Sequence, residues 1–303
     1  MFDVCVVGGC GIDRIFVSGK DGSFSDVPDR VVPAGKGSNQ AVAAARSGAS
    51  VCILSCIGDD DNGRLVMENL EREGIDTSYV SILKGVRTDC NTVHIDPDGD
   101  NSIVRDTGAT DLITPEYIDS VSDILRSASI VLTHTKIPQA SVDRILDICH
   151  GANVPVNITP CPPEKLDIMS TEGRARLSKI TYITANREES MTITESNDPF
   201  EAVLLSNRKL IATLGGDGVM FFDHDVVSLD VPYVEKVVDT TGAGDTFAGN
   251  LAHRIVMGMG LKDAVNESMH AASYKTQYPT AQAGMPYPDQ LKDFMSRSKE
   301  ASQ

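Results

Sequence analysis

Short apolar runs alternate with amphipathic stretches along most of the chain. Residues 3–9 (DVCVVGG), 50–58 (SVCILSCIG), 129–135 (SIVLTHT), 154–159 (VPVNIT), 180–186 (ITYITAN) and 209–216 (KLIATLGG) read as short buried strands. Residues 36–48 (KGSNQAVAAARSG) predict a helix with an alanine face and a stop at Gly48. Residues 61–74 predict a second helix, with Leu65, Val66 and Leu70 on its buried face and a stop at Gly74. Phe247, Leu251 and Ile255 recur at i, i+4 and i+8, with Ala248 and Val256 beside them, so a helix starts near residue 243. The stretch before it, 234–239 (VEKVVD), reads as a strand. Strands alternating with helices imply an α/β architecture: a mostly parallel central sheet flanked by helices on both faces.

Two stretches break this alternation. Residues 14–34 are polar and glycine-rich, with short β-like pieces. Residues 88–107 alternate apolar and polar positions around the turn DPDGDN, the pattern of a hairpin. Such pieces form a small sheet outside the main one, either a lid or an ordinary edge hairpin. No internal repeat or low-complexity tract interrupts the 303 residues, and one domain accommodates them.

Composition narrows the classes of function. A formal charge of −16 argues against a protein that tracks nucleic-acid phosphates, though not against a local site for a small anion. The seven cysteines are odd in number and contain no CxxC pair, which points to reduced thiols rather than a disulfide or zinc framework. No apolar run approaches the ~18 residues of a membrane span, and no signal-type segment opens the sequence, so a cytoplasmic protein without a membrane partner is expected.

The chemistry concentrates at DTTGAGDTFAGN, residues 239–250. Gly242, Ala243 and Gly244 leave backbone N–H groups uncovered where a helix begins. Those groups lack internal partners, and the helix dipole favours negative charge there. Asp245 follows in the first turn. A bare carboxylate repels a phosphate, but it suits a site where a hydroxyl lies between the two and the carboxylate takes its proton. A simple helix-capping role is the alternative.

This segment resembles the C-terminal signature of the ribokinase (PfkB) family of carbohydrate kinases. AGKGSNQAVAAARSG with GDDDNG resembles the family's N-terminal signature, TANREE (184–189) its Asn-x-x-Glu motif, and TLGGDG (213–218) its nucleotide loop. The four matches occur in the family's order and span nearly the whole chain. The resemblance implies a three-layer ribokinase-like fold with a small β lid over the sugar, the lid falling on segments 14–34 and 88–107. It implies transfer of the ATP γ-phosphoryl group to a sugar hydroxyl, with Asp245 as general base and the turn 242–245 as anion hole. Asn186 and Glu189 would act near Mg²⁺ and the phosphates, Glu189 through metal-bound water. Thr213, Gly215, Gly218 and Met269 would line the nucleotide. A monovalent cation, K⁺, would lie beside Asp239, Thr241, Thr280 and Gly284, the last two departing from the residues common in relatives. Relatives often dimerise through the lid, so a homodimer is expected on the same grounds.

The sugar is less constrained. Asp13, Gly35, Lys36, Gly37 and Asn39 match the family's sugar-binding residues, which suits a neutral polyol. Gly11 stands where ribokinases carry Asn, and Lys136 where they carry Glu. The second exchange reverses charge and would admit a larger or anionic substrate, unless Lys136 points to solvent or pairs with an acid. Asp89 replaces an arginine that would pair with a phosphate in fructose-phosphate kinases. An unphosphorylated furanose follows, ribose first, with another sugar or a nucleoside as the alternative. A Rossmann dehydrogenase is excluded because Arg14 takes the place of the third fingerprint glycine, and there is no Walker GxxxxGK[ST]. A sugar-binding relative without catalysis is disfavoured by Asp245, since a binder needs no base.

Overall fold

The computed structural model describes residues 1–19, 23–96 and 101–301. Its strands are β1 (Val4–Val7), β2 (Gly11–Val17), β3 (Arg30–Ala34), β4 (Val51–Gly58), β5 (Val80–Leu83), β6 (Asp89–Ile95), β7 (Asn101–Asp106), β8 (Ile130–His134), β9 (Val156–Thr159), β10 (Tyr182–Asn186), β11 (Leu210–Thr213), β12 (Val219–Asp223) and β13 (Asp225–Leu229). Nine of them form one sheet in the order β13-β12-β11-β10-β9-β8-β1-β4-β5. Pairing is parallel from β11 to β5 and antiparallel at β12 and β13. The remaining four form a separate sheet, β3-β2-β6-β7.

The helices are α1 (Lys36–Arg46), α2 (Asp61–Arg72), α3 (Pro115–Ser120), α4 (Ser122–Ser127), α5 (Gln139–Ala152), α6 (Thr171–Lys179), α7 (Arg187–Thr194), α8 (Pro199–Leu205), α9 (Ala243–Val256), α10 (Leu261–Lys275) and α11 (Pro288–Ala301). Central strands bury both faces, and the period of two decides which core each residue enters. Cys5 and Val7 of β1 join Cys52 and Leu54 of β4 in a cluster with Ile118, Val142 and Ile145. Val4 and Val6 join Val51 and Ile53 on the other face, against Ala41–Ala44 of α1 and Ala252 of α9. Phe247 and Leu251 are buried with Val265 and Phe221, each contributing about 1.5–3 kcal/mol that docks α9.

The main expectations hold with local corrections. The first two helices stop before Gly48 and Gly74, whose φ values of 107° and 72° are left-handed. Leu65 is 42% exposed, because only Val66 and Leu70 face the core. The run 209–216 is a strand only to Thr213, and Gly215–Asp217 forms a 3₁₀ turn. Residues 234–239 are not a strand. Val237 and Val238 are 58% and 49% exposed, and the N–H groups of Val238 and Asp239 both donate to Thr276 O, at 2.7 and 3.0 Å, rather than to a neighbouring strand. The predicted hairpin is the antiparallel pair β6–β7, although residues 97–100 of its turn lie outside the described residues. All seven cysteines are free. Among the described residues, no helix is long and apolar enough to cross a membrane.

Candidate active site

The start of α9 assembles the candidate base. Gly242, at φ 79°, makes the left-handed turn into the helix, and a Cβ there would lie 2.7 Å from Ala281 O. Ala243 N–H donates to Thr240 O at 3.1 Å, so it closes the turn instead of facing outward. The N–H groups of Gly244 and Asp245 have no partner among the described residues, and the space beside Gly244 is open. Within the turn 242–245, the amides free to meet an anion are therefore those of Gly244 and Asp245.

Asp245 is 6% exposed and is held by α1. Lys36 Nζ and Gln40 Nε2 donate to its Oδ1 at 3.4 and 3.3 Å, and Asn39 Nδ2 donates to Oδ2 at 3.1 Å. Burial opposes the charge on Lys36, but Asp245, Cys161 and Glu189 hold its pKa above the ordinary range. Asn39 Oδ1 in turn accepts from Gln282 Nε2 at 2.9 Å, and Gln282 Oε1 accepts from Asn69 Nδ2 at 2.9 Å. Close packing makes this possible. A Cβ on Gly37 would lie 2.5 Å from the Gly8 carbonyl carbon, and one on Gly249 2.6 Å from Ala43 Cβ. Gly35, at φ 102°, caps α1 where a side chain would meet Gly9 O. The GDDDNG segment has a bracing role. Asp60 caps α2 through Gly63 N–H at 2.8 Å and accepts from Thr88 N–H and Oγ1 at 2.9 and 2.7 Å, tying the helix to the start of β6.

Asp13 lies on β2 opposite Asn91 of β6, whose Nδ2 donates to it at 2.7 Å. Burial raises the Asp13 pKa, against Asn91 and the charge of Lys136. Lys136 is thus electrostatically coupled to the expected sugar acid. It is half-buried, and its Nζ forms no hydrogen bond or ion pair among the described residues. Its backbone N–H donates to His134 Nδ1 at 3.1 Å. His134 is buried against Gly8 and stays neutral, because burial and Lys36, Lys136 and Lys165 push its pKa well down. Gly11 has a packing reason: a Cβ there would lie 2.6 Å from Asp89 O. Asp89 accepts from the N–H groups of Gly108 and Thr110 at 2.9 and 3.1 Å, so its carboxylate fixes the segment after β7.

Asn186 and Glu189 form a capping box at α7. Asn186 Oδ1 accepts from Glu189 N–H at 2.8 Å, and Glu189 Oε2 accepts from Asn186 N–H at 2.9 Å. Glu189 Oε1 has no partner among the described residues. Burial raises the Glu189 pKa, against the Asn186 N–H and the charge of Lys36 and with that of Asp245. Gly215 (φ 64°) and Gly216 border open space, whereas Gly218 is required by contact with Leu229 O. Thr213 Oγ1 donates to Ala185 O at 3.2 Å. Met269 is 4% exposed and packs with Phe247 and Val265, so its side chain serves the core rather than an open cleft.

Asp239, Thr241, Thr280 and Gly284 do come together, around a group that the sequence reading missed. Asp239 Oδ1 accepts from Thr241 N–H and Oδ2 from Thr280 N–H, both at 2.8 Å. Burial opposes its charge, but Thr241, Lys275 and Thr280 hold its pKa below the ordinary range. Thr280 is left-handed at φ 63°. Lys275, at the end of α10, is 0% exposed, and its Nζ donates to Asp239 O at 2.8 Å and Tyr278 O at 3.3 Å. Among the described residues, no cluster of three or more His, Cys, Asp or Glu side chains is arranged to hold a metal ion.

A buried carboxylate fixed beside two unpartnered helix-start amides suits a phosphotransferase acting on an alcohol group. Residues 1–288 match the pfkB family carbohydrate kinases, and the chain belongs to that family. It is 33% identical to the ribokinase of Bacillus subtilis over 301 residues, covering 98% of this chain and 100% of that one. It is 26% identical to the deoxyribokinase of Salmonella typhimurium over 309 residues, covering 97% and 99%. The structure of Arabidopsis thaliana ribokinase complexed with ribose and ATP superimposes with a TM-score of 0.84 at 26% identity, covering 97% and 98%.

Proposed function

We propose that the protein is an ATP-dependent ribose kinase that forms ribose 5-phosphate, with Asp245 as general base. The observation that carries this reading is the position of Asp245: three donors from α1 fix it directly beside two unpartnered amides. In the reaction, Asp245 accepts the proton of the primary hydroxyl as that oxygen bonds to the γ-phosphorus. The bond from the γ-phosphorus to its bridging oxygen breaks, and ADP leaves. The N–H groups of Gly244 and Asp245 stabilise the charge on the group in transit, while Gly242 and Ala243 shape the turn. Asp13, Asn39 and the backbone around Gly35–Gly37 hold the ribose hydroxyls, under a lid formed by β3-β2-β6-β7.

The nucleotide lies along Thr213, Gly215 and Gly218. Mg²⁺ would neutralise the phosphates, held through water by Glu189 and its free Oε1. The monovalent-cation position of this reading is beside Asp239, where Lys275 Nζ already donates to the Asp239 carbonyl at 2.8 Å. A homodimer through the lid also belongs to this reading, since Val31 and Val104 are exposed there.

The test is ATP-dependent ADP release with ribose, deoxyribose, fructose, phosphorylated fructoses and nucleosides. Ribose turnover is expected to dominate. Turnover confined to a larger or anionic sugar would favour a second reading, for which Lys136 is the specific observation.

A further inference from the structure

Lys275 combines three features that rarely coincide. It is a lysine with no exposed surface, it points at backbone carbonyls rather than a carboxylate, and it lies under the turn that feeds the anion hole. Lysines are almost never fully buried without a partner that compensates the lost hydration. Here Nζ donates to Asp239 O and Tyr278 O, and burial pushes the Lys275 pKa down to about 8 against the charge of Asp239, which still leaves an ammonium at neutral pH.

The two carbonyls belong to the two loops that frame the start of α9. Asp239 begins the turn 239–242, in which Thr240 O accepts from Ala243 N–H. Tyr278 begins the loop that carries Thr280 onto the Asp239 carboxylate and Ala281 onto Gly242. The ammonium therefore cross-links both sides of the turn that presents the Gly244 and Asp245 amides.

A free monovalent ion would need the same oxygens. Both oxygens of Asp239 already accept backbone N–H groups. The Asp239 carbonyl is engaged by Lys275. Gly284 supplies no side-chain ligand, and a Cβ there would lie 2.6 Å from Tyr278 Cβ and 2.8 Å from Lys275 O, so a larger residue is not accommodated. The Lys275 ammonium already sits on the Asp239 and Tyr278 carbonyls, so an added cation there would meet a like charge.

We infer that the Lys275 ammonium is a tethered cation that does the work of a free monovalent ion, fixing the anion-hole turn, so that the enzyme needs no K⁺. Lys275 touches neither substrate nor nucleotide on this account; it is a positioning residue. Its catalytic consequence rests on the kinase reading above, whereas its consequence for stability does not.

The experiment compares wild type and Lys275→Met in a buffer whose only cation besides Mg²⁺ is N-methylglucamine, with KCl, NH₄Cl or NaCl then added at constant ionic strength. Melting temperature and the kinetics of ribose phosphorylation are both read. Wild type should change in kcat by less than about twofold with K⁺, and its melting temperature should not distinguish K⁺ from Na⁺. Lys275→Met should lose about 10²-fold in kcat, with a smaller change in the KM for ribose, and should recover in part on K⁺ or NH₄⁺. Its melting temperature should become K⁺-dependent. A wild type activated about tenfold or more by K⁺, or stabilised by K⁺ selectively, would overturn the inference, as would Lys275→Met with full kcat in the ion-free buffer. If Lys275→Met does not fold, the wild-type ion dependence decides. If wild type turns over none of the sugars, the kinase reading fails, and the melting curves still decide whether Lys275 replaces the ion.

Discussion

Individual residues carry opposing demands here, and Asp13 shows it. Its folded pKa is raised by burial above the ordinary value of 3.8. A raised carboxyl pKa means that the folded state binds a proton more tightly than the unfolded state. The penalty on folding is absent below 3.8 and becomes full as pH rises through the folded pKa. Asp13→Asn should therefore melt about 1–3 °C higher at pH 7, an advantage that disappears in acid, while losing ribose binding. Calorimetry at both pH values, with and without ribose, checks it. Lys136 carries the specificity question. Lys136→Glu should move the preference towards neutral ribose and away from any anionic sugar, raising kcat/KM for ribose relative to the others by about tenfold. An unchanged ranking across the panel would mean that Lys136 does not face the substrate.

At the scale of elements, the site depends on how closely α1 and α9 approach the β1 loop. Gly37→Ala would force a Cβ to 2.5 Å from the Gly8 carbonyl carbon. The expected cost is about 1–3 kcal/mol by urea denaturation. The shift would also misplace Lys36, Asn39 and Gln40, so kcat/KM should fall by more than stability alone explains. Stability without a change in kcat/KM would show that α1 tolerates displacement. The same geometry explains what could be read from sequence. The α9 start was legible because small residues, an acid and an apolar stripe lie within one short stretch. Gln40, Gln282 and Asn69 were not, because their contacts join segments 205, 243 and 213 residues apart. Lys275 was not legible either, since nothing in its local sequence shows that it is buried. The 234–239 segment misled because its valines suggest a strand, yet its N–H groups bond to the end of α10.

For the whole molecule, a nine-stranded sheet supplies rigidity, and the four-stranded sheet carries Asp13 on β2 opposite Asn91 of β6. The candidate site lies where β1, α1, α9 and the loop after α10 converge. The acidic surface, with a net charge of −16, leaves local cations such as Lys36, Lys136 and Lys275 to manage negative charge within the site. The central claim is that Asp245 is the base and that its neighbours bind rather than react. Steady-state kinetics of wild type and Asp245→Asn with ATP, Mg²⁺ and ribose tests it most directly. A melting curve first establishes that the variant folds. The account predicts that kcat falls by about 10²–10⁴-fold while the KM for ribose changes by less than about threefold. A folded Asp245→Asn whose kcat stays within about tenfold of wild type would contradict it, and would place proton transfer outside the α9 start.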